Sequence, residues 1–207
     1  MARMDTALRA AAPALALALG HEPFYRLISC DGEDEAARRR LLEEYFHYSL
    51  LEARRIGRCI VPQDPAQGAA AWTLPQPEQV SAAAAADKSR FLHRLLGPKG
   101  RENHRRLLEF MAVKTCELHL QDAWYLSILG VHPRLQGLGI GAALIAPTLI
   151  EAARAGATAY LETFDPRNHR FYARAGFAEM ASFIEPVSGS RYWIFRKEPQ
   201  DPAIDAA

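Results

Sequence analysis

A chain of 207 residues can bury roughly 70% of its unfolded surface, so it needs no metal or disulfide staple to fold. It is 49% hydrophobic and 24% charged, an ordinary soluble composition, and a formal net charge of +1 excludes a nucleic-acid partner held by bulk electrostatics. The three cysteines (Cys30, Cys59 and Cys116) are odd in number and widely spaced, which argues against a disulfide framework or a metal site and for a reducing, cytoplasmic setting.

Residues 10–20 (AAAPALALALG) follow Arg3 and Arg9 and resemble a weak signal peptide, but Asp5 and Pro13 spoil that pattern. The stretch reads instead as a buried amphipathic helix, and it is well short of the ~20 apolar residues that span a membrane. Residues 34–56 read as a helix because Leu41, Leu42, Tyr45, Phe46, Leu50 and Leu51 recur at helical spacing, and Gly57 ends it. The runs 58–61 and 69–74, separated by Pro62, Asp64, Pro65 and Gly68, predict a two-stranded hairpin. Residues 77–121 predict two or three helices broken at Gly97-Pro98-Lys99-Gly100, with Lys88, Arg90, Arg94, Lys99, Arg101, Arg105 and Arg106 on a solvated basic face.

The C-terminal third is more regular. Strands are predicted at 124–131, 158–163, 177–184 and 191–196, and helices at 139–155 and 168–175. Residues 199–207 read as a flexible tail behind a single domain over 1–198.

Glycines 137, 139 and 141 lie between a strand and a helix. Without Cβ atoms, their amides can approach a bulky anion, and the helix adds unpaired N–H groups and a positive dipole end. The set Gln136, Gly137, Leu138, Gly139, Ile140, Gly141 and Ala142 therefore suits a phosphate or pyrophosphate. Gly137, Gly139 and Ala142 also fit the dinucleotide pattern, with Glu162 ~20 residues on. Against a nicotinamide-dependent oxidoreductase, His132 to Gln136 intervene after the strand, and the 66 residues after Gly141 are too few for a doubly wound sheet. No Gly-Lys-Ser/Thr follows, which excludes a P-loop.

Downstream, Asp165-Pro166 is a good helix start, and Gly176 closes that helix. Asn168 and Tyr172, four apart, share one of its faces, while Phe171 and Ala175 are free to pack inward.

The segment from Trp124 to Pro199 resembles the GNAT superfamily of N-acetyltransferases. Gln136, Gly139 and Gly141 fill the superfamily's Gln/Arg-x-x-Gly-x-Gly/Ala pattern, and Asn168, Phe171-Tyr172 and Gly176-Phe177 resemble its second motif. The superfamily's N-terminal strand is not legible in residues 1–8. The resemblance implies an α/β (α+β) fold, with a mixed central sheet flanked by helices and a helical insertion at 77–121. It implies acetyl transfer from acetyl-CoA to an amine-bearing small molecule in a ternary complex, without metal, nucleic acid or membrane; a homodimer is left open. A binding module that senses acyl-CoA without turnover is the alternative.

For that chemistry, an amide of Leu129 or Gly130 in a bulged strand would meet the thioester oxyanion, and Val131 and Asn168 would help hold the donor. Tyr172 would be the acid and Glu162, His119 or Glu117 the base. Tyr25, Tyr48, Trp72 and Trp124, beside Phe24, Tyr45 and Phe46, are candidates to line the acceptor site.

Overall fold

The computed structural model describes residues 2–199, and side chains from Asp5 onward. The tail expected at 199–207 thus lies, apart from Pro199, outside the described residues. Among the described residues, seven α-helices and six strands follow in chain order: α1 (Ala2–Leu19), α2 (Pro23–Ile28), α3 (Glu35–Ile56), β1 (Gly57–Ile60), β2 (Gly68–Thr73), α4 (Glu78–Leu95), α5 (Pro98–Glu117), β3 (Trp124–Val131), α6 (Ile140–Arg154), β4 (Ala159–Thr163), α7 (His169–Arg174), β5 (Ala178–Ile184) and β6 (Arg191–Lys197).

The start of the chain is helical where the superfamily pattern would put a strand. Its composition explains this: Ala and Leu dominate α1 and carry the strongest helix propensity. The helix is buried along Leu8, Ala11, Ala12 and Leu15 and lies against α3 and β3. It approaches β3 closely because Gly130 has no side chain; a Cβ there would meet Leu15 Cδ2 at 2.6 Å. Helix α3 begins at Asp34, whose carboxylate accepts from the Ala37 amide at 2.7 Å. The segment expected to hold two or three helices forms two, α4 and α5, with Gly97 at the break.

The sheet order is β1-β2-β3-β4-β6-β5. Every pairing is antiparallel except β3 with β4. A sheet of this kind is not the doubly wound parallel sheet that dinucleotide binding requires, so the oxidoreductase alternative is withdrawn. Helices α1 to α5 cover one face, around Leu15, Tyr25, Tyr45, Phe46, Leu50 and Leu107. Helices α6 and α7 cover the other, where Trp72, Leu126, Leu144, Ile145, Leu161 and Phe195 pack together.

Two irregularities open the middle of the sheet. The parallel ladder of β3 and β4 runs from Trp124↔Ala159 to Leu126↔Leu161 and stops. Beyond it, β3 continues beside β2 alone, and β4 beside β6 alone. At the same level β3 bulges: Ala71 faces Ile128 and Trp72 faces Leu126, leaving Ser127 as the extra residue. Its hydroxyl donates to the Ala71 carbonyl at 3.1 Å.

Candidate active site

A groove lies where β3 and β4 part. Leu129, Gly130, Val131, Pro133 and Gln136 form one wall, Asp165, Arg167 and Asn168 the other, and the end of α1 with His21 and Glu22 closes it. The glycine turn follows at its rim. Gly137 and Gly139 hold left-handed φ of 83° and 82°, and Cβ atoms there would meet nothing within 4 Å. Their selection is therefore conformational on the protein side, and the space in front of the backbone is open. Gly139 is the N-cap of α6 and offers no side-chain cap; the first amide to bond back is Ala143, donating to the Gly139 carbonyl at 3.1 Å. The amides ahead of it have no helical partner, and a helix start of this kind is positively polarised and attracts anions. Gly141 packs against Phe171, 3.4 Å from where its Cβ would be, and so ties the turn to α7.

Of the residues expected at the cofactor, Leu129, Gly130, Val131, Gln136 and Asn168 line the groove itself. Gly137, Leu138, Gly139, Ile140, Gly141 and Ala142 form the turn beyond it, with Leu138 70% exposed. Gln136 donates through Nε2 to the Val131 carbonyl at 3.2 Å, which fastens the turn to the strand end. Asn168 precedes α7 but makes no side-chain capping bond.

Tyr172 shares a face with Asn168 by spacing, with Phe171 expected to pack inward; the structure instead makes Tyr172 the buried residue of α7 and leaves Phe171 half-buried. The ring packs among Phe171, Phe177 and Phe195. Arg170, Ala173 and Arg174 take the solvent side of this six-residue helix, which turns Tyr172 down onto the sheet. Burial, then the charges of Glu22 and Asp165, push the phenol pKa well above its ordinary value. Both of those carboxylates line the groove, whereas Tyr172 itself borders neither the groove nor the cavity.

A second cavity, of about 410 Å³, lies between the sheet and helices α3, α4 and α5. Tyr25, Tyr45, Phe24, Phe164 and Tyr125 contribute aromatic surface, and Glu162, Glu52, Lys88, His104 and Ser127 contribute polar groups. Tyr25 is thus where an acceptor-lining residue was expected. Trp72 borders the cavity, but its indole is fully buried in the core on the α6 face. Tyr48 and Trp124, expected at the acceptor site, do not line the cavity. Tyr48 stacks on Phe91, with ring centroids 4.0 Å apart, outside the cavity between α3 and α4. Trp124 packs at the edge of the α6-side core under the Arg58 guanidinium. Lys88, expected on the solvated basic face, turns inward and pairs with Glu52 at 2.8 Å. Arg90 and Arg105 of that face do pair with neighbours on the surface. The alternative bases His119 and Glu117 are exposed near the end of α5 and do not border either space.

Glu22 borders both the groove and the cavity. Sequence reading passed over it, although Glu22-Pro23 opening a helix was a legible signal. Burial, helped by the charge of Asp165 and opposed by Arg167, raises its pKa to about 7. Glu162 borders the cavity alone. Burial raises its pKa to about 7 as well, and the Tyr125 phenol, as a hydrogen-bond partner, only partly offsets this. The Oε1 of Glu162 is sealed from solvent and has no hydrogen-bond partner among the described residues.

The mixed sheet, its parted strands and the helices on both faces are the GNAT fold. The family model described as the acetyltransferase (GNAT) family matches residues 77–177, about half of the chain. Among solved structures, arylalkylamine N-acetyltransferase 2 from Aedes aegypti is similar at 15% identity and TM-score 0.64, over 97% of this chain and 96% of that one. A histone-acetyltransferase-related acetyltransferase from Corynebacterium glutamicum is similar at 20% identity and TM-score 0.60, over 93% of this chain and 91% of that one. A protein from Agrobacterium tumefaciens described as an acetyltransferase is 32% identical over 36% of this chain, at TM-score 0.33; that match spans 56% of its own length. The chain thus matches the GNAT acetyltransferase family model over just under half its length and shares its fold with the first two of these structures.

Proposed function

We propose that this chain transfers an acetyl group from acetyl-CoA to the amine of a small molecule, by direct attack in a ternary complex. The observation that carries this reading is that Glu22 borders both the groove and the cavity, so a donor lying in one and an acceptor in the other would meet beside it. The amides of 137–142 would hold the donor's pyrophosphate, and Asn168 with the edge of β3 its pantetheine arm.

The amine must be neutral to attack. Glu22 accepts its proton as the nitrogen–carbon bond forms; Glu162, read from sequence as the base, stands on the acceptor side alone and is assigned to binding the amine. Charge developing on the carbonyl oxygen is met by an amide of Leu129 or Gly130, on the side of β3 that has lost β4. The carbon–sulfur bond then breaks, and the sulfur leaves with a proton from Tyr172 or as a thiolate hydrogen-bonded by it. A phenol near pKa 10 is already a weaker acid than a thiol near 8.5, and burial widens that gap. Hydrogen-bond donation to the departing sulfur is therefore the larger part of its role.

Trp124-Tyr125-Leu126, Leu161-Glu162-Thr163, Pro166-Arg167-Asn168, Phe171-Tyr172 and Arg196-Lys197 resemble puromycin N-acetyltransferase in particular. The resemblance is faint before Trp124, where the acceptor cavity is largely built, so puromycin itself is not proposed as the substrate. A reducing, cytoplasmic setting remains part of this reading.

A thiol-release assay separates the enzyme from the sensor. Purified protein given acetyl-CoA and a panel of amines is expected to release free thiol only when an amine is present. CoA binding without thiol release from any amine would favour the sensor.

A further inference from the structure

The acceptor cavity is polar at two separate places, and each holds a buried group that lacks a partner. At the sheet, Glu162 presents its sealed Oε1 beside Tyr125 and Ser127. Across the cavity, His104 on α5 is 7% exposed, and its Nε2 is likewise without a partner among the described residues. Its ring is held edge-on by Phe24 and Tyr45, with centroids 5.9 and 6.4 Å away. Burial and then the charge of Lys88 lower the His104 pKa to about 4, so the imidazole is neutral at physiological pH. Burial also works against the Lys88 ammonium, but Tyr45 and Glu52 outweigh it and raise the Lys88 pKa. The field of Lys88 falls on Tyr45 and His104 and is not among the causes that move Glu162. Glu162 lies on β4 and His104 on α5, and Phe24, Tyr25, Tyr45 and Tyr125 line the cavity with them.

A buried polar atom left unsatisfied is costly, and such atoms in a cavity mark what a ligand supplies. A carboxylate oxygen asks for a donor, which an ammonium gives. A neutral imidazole nitrogen is a donor in one tautomer and an acceptor in the other. A hydroxyl suits both, and it can also accept from the Lys88 ammonium. A carboxylate would bring charge into a cavity already lined by Glu22, Glu52 and Glu162 against one lysine. A second ammonium would be repelled by Lys88.

We propose that the acceptor is a small aromatic amine with a hydroxyl at the end remote from its nitrogen, the ammonium end meeting Glu162 and the hydroxyl meeting His104 and Lys88. This rests on the acetyltransferase reading and goes beyond it in naming the acceptor class. A cavity of about 410 Å³ holds one aromatic ring with a short side chain. The ammonium bound at Glu162 gives up one proton to solvent before attack, and Glu22 takes the second as the nitrogen–carbon bond forms.

The test compares matched amines by thiol release from acetyl-CoA: tyramine against phenethylamine, with putrescine and a primary amino acid alongside. Tyramine is expected to exceed phenethylamine in kcat/KM by at least about tenfold, because the analogue without the hydroxyl leaves His104 unpaired. His104→Phe should bring that ratio close to one, and Lys88→Met, removing the second partner by another route, should reduce it. Equal kcat/KM for tyramine and phenethylamine with the unaltered protein, or a preference for putrescine or the amino acid, overturns the proposal and leaves the acetyltransferase reading standing. Thiol release from none of the amines overturns both.

Discussion

Tyr172→Phe is expected to lower kcat for thiol release by about 10²–10³, the cost of losing one hydrogen bond to developing charge, with the dissociation constant for CoA changed less than about threefold. The substitution keeps the ring that packs among Phe171, Phe177 and Phe195 and deletes only the hydroxyl. The melting temperature should therefore stay within a few degrees, which separates a chemical role from a packing one. A loss below about tenfold would make Tyr172 a core residue of α7 and nothing more.

Glu22→Gln is expected to cost about 10²-fold or more in kcat and to change the pH profile. The base works when ionised. With the Glu22 pKa raised to about 7, kcat should fall roughly tenfold per unit as pH drops below that value and level off above it. The glutamine variant should lack this acid limb. Because the Glu162 pKa is also raised to about 7, the control is Glu162→Gln, which should raise KM for the amine and keep the limb. If Glu162→Gln removes the limb and Glu22→Gln retains it, the two carboxylates have been assigned the wrong way round.

These two glutamates show where sequence reading reaches its limit. The glycine turn was legible because its chemistry is local: two glycines at positive φ, a helix start and a strand end lie within some fifteen residues. The same holds for β3, for the hairpin of β1 and β2, and for α3 between Asp34 and Gly57. The active site is not local. Glu22 and Glu162 are 140 positions apart and come to neighbouring spaces only because α1 docks on Gly130 and delivers the turn at 20–22 to the parted strands. Periodicity on α4 could not show that Lys88 faces inward, since its neighbours Asp87 and Arg90 stay at the surface. Aromatic content likewise could not separate Tyr25, on the cavity, from Tyr48, stacked on Phe91 outside it. In α7, helical spacing gave the relation between Asn168 and Tyr172 but not which stripe the sheet would bury.

The architecture explains why donor and acceptor can be recognised by separate parts of the chain. The second half supplies the turn, the strand edge and residues 165–168 ahead of α7, against which a donor would rest. The first half, through α2 to α5, supplies most of the cavity. The parted strands join the two spaces, and a bulge at Ser127 marks the level at which they separate.

A crystal structure of the protein with CoA bears most directly on this account. It should place the diphosphate within about 2.7–3.2 Å of amides between residues 137 and 142, and the sulfur between the Tyr172 hydroxyl and Glu22. A CoA molecule bound away from the glycine turn, or a sulfur out of reach of both side chains, would contradict it.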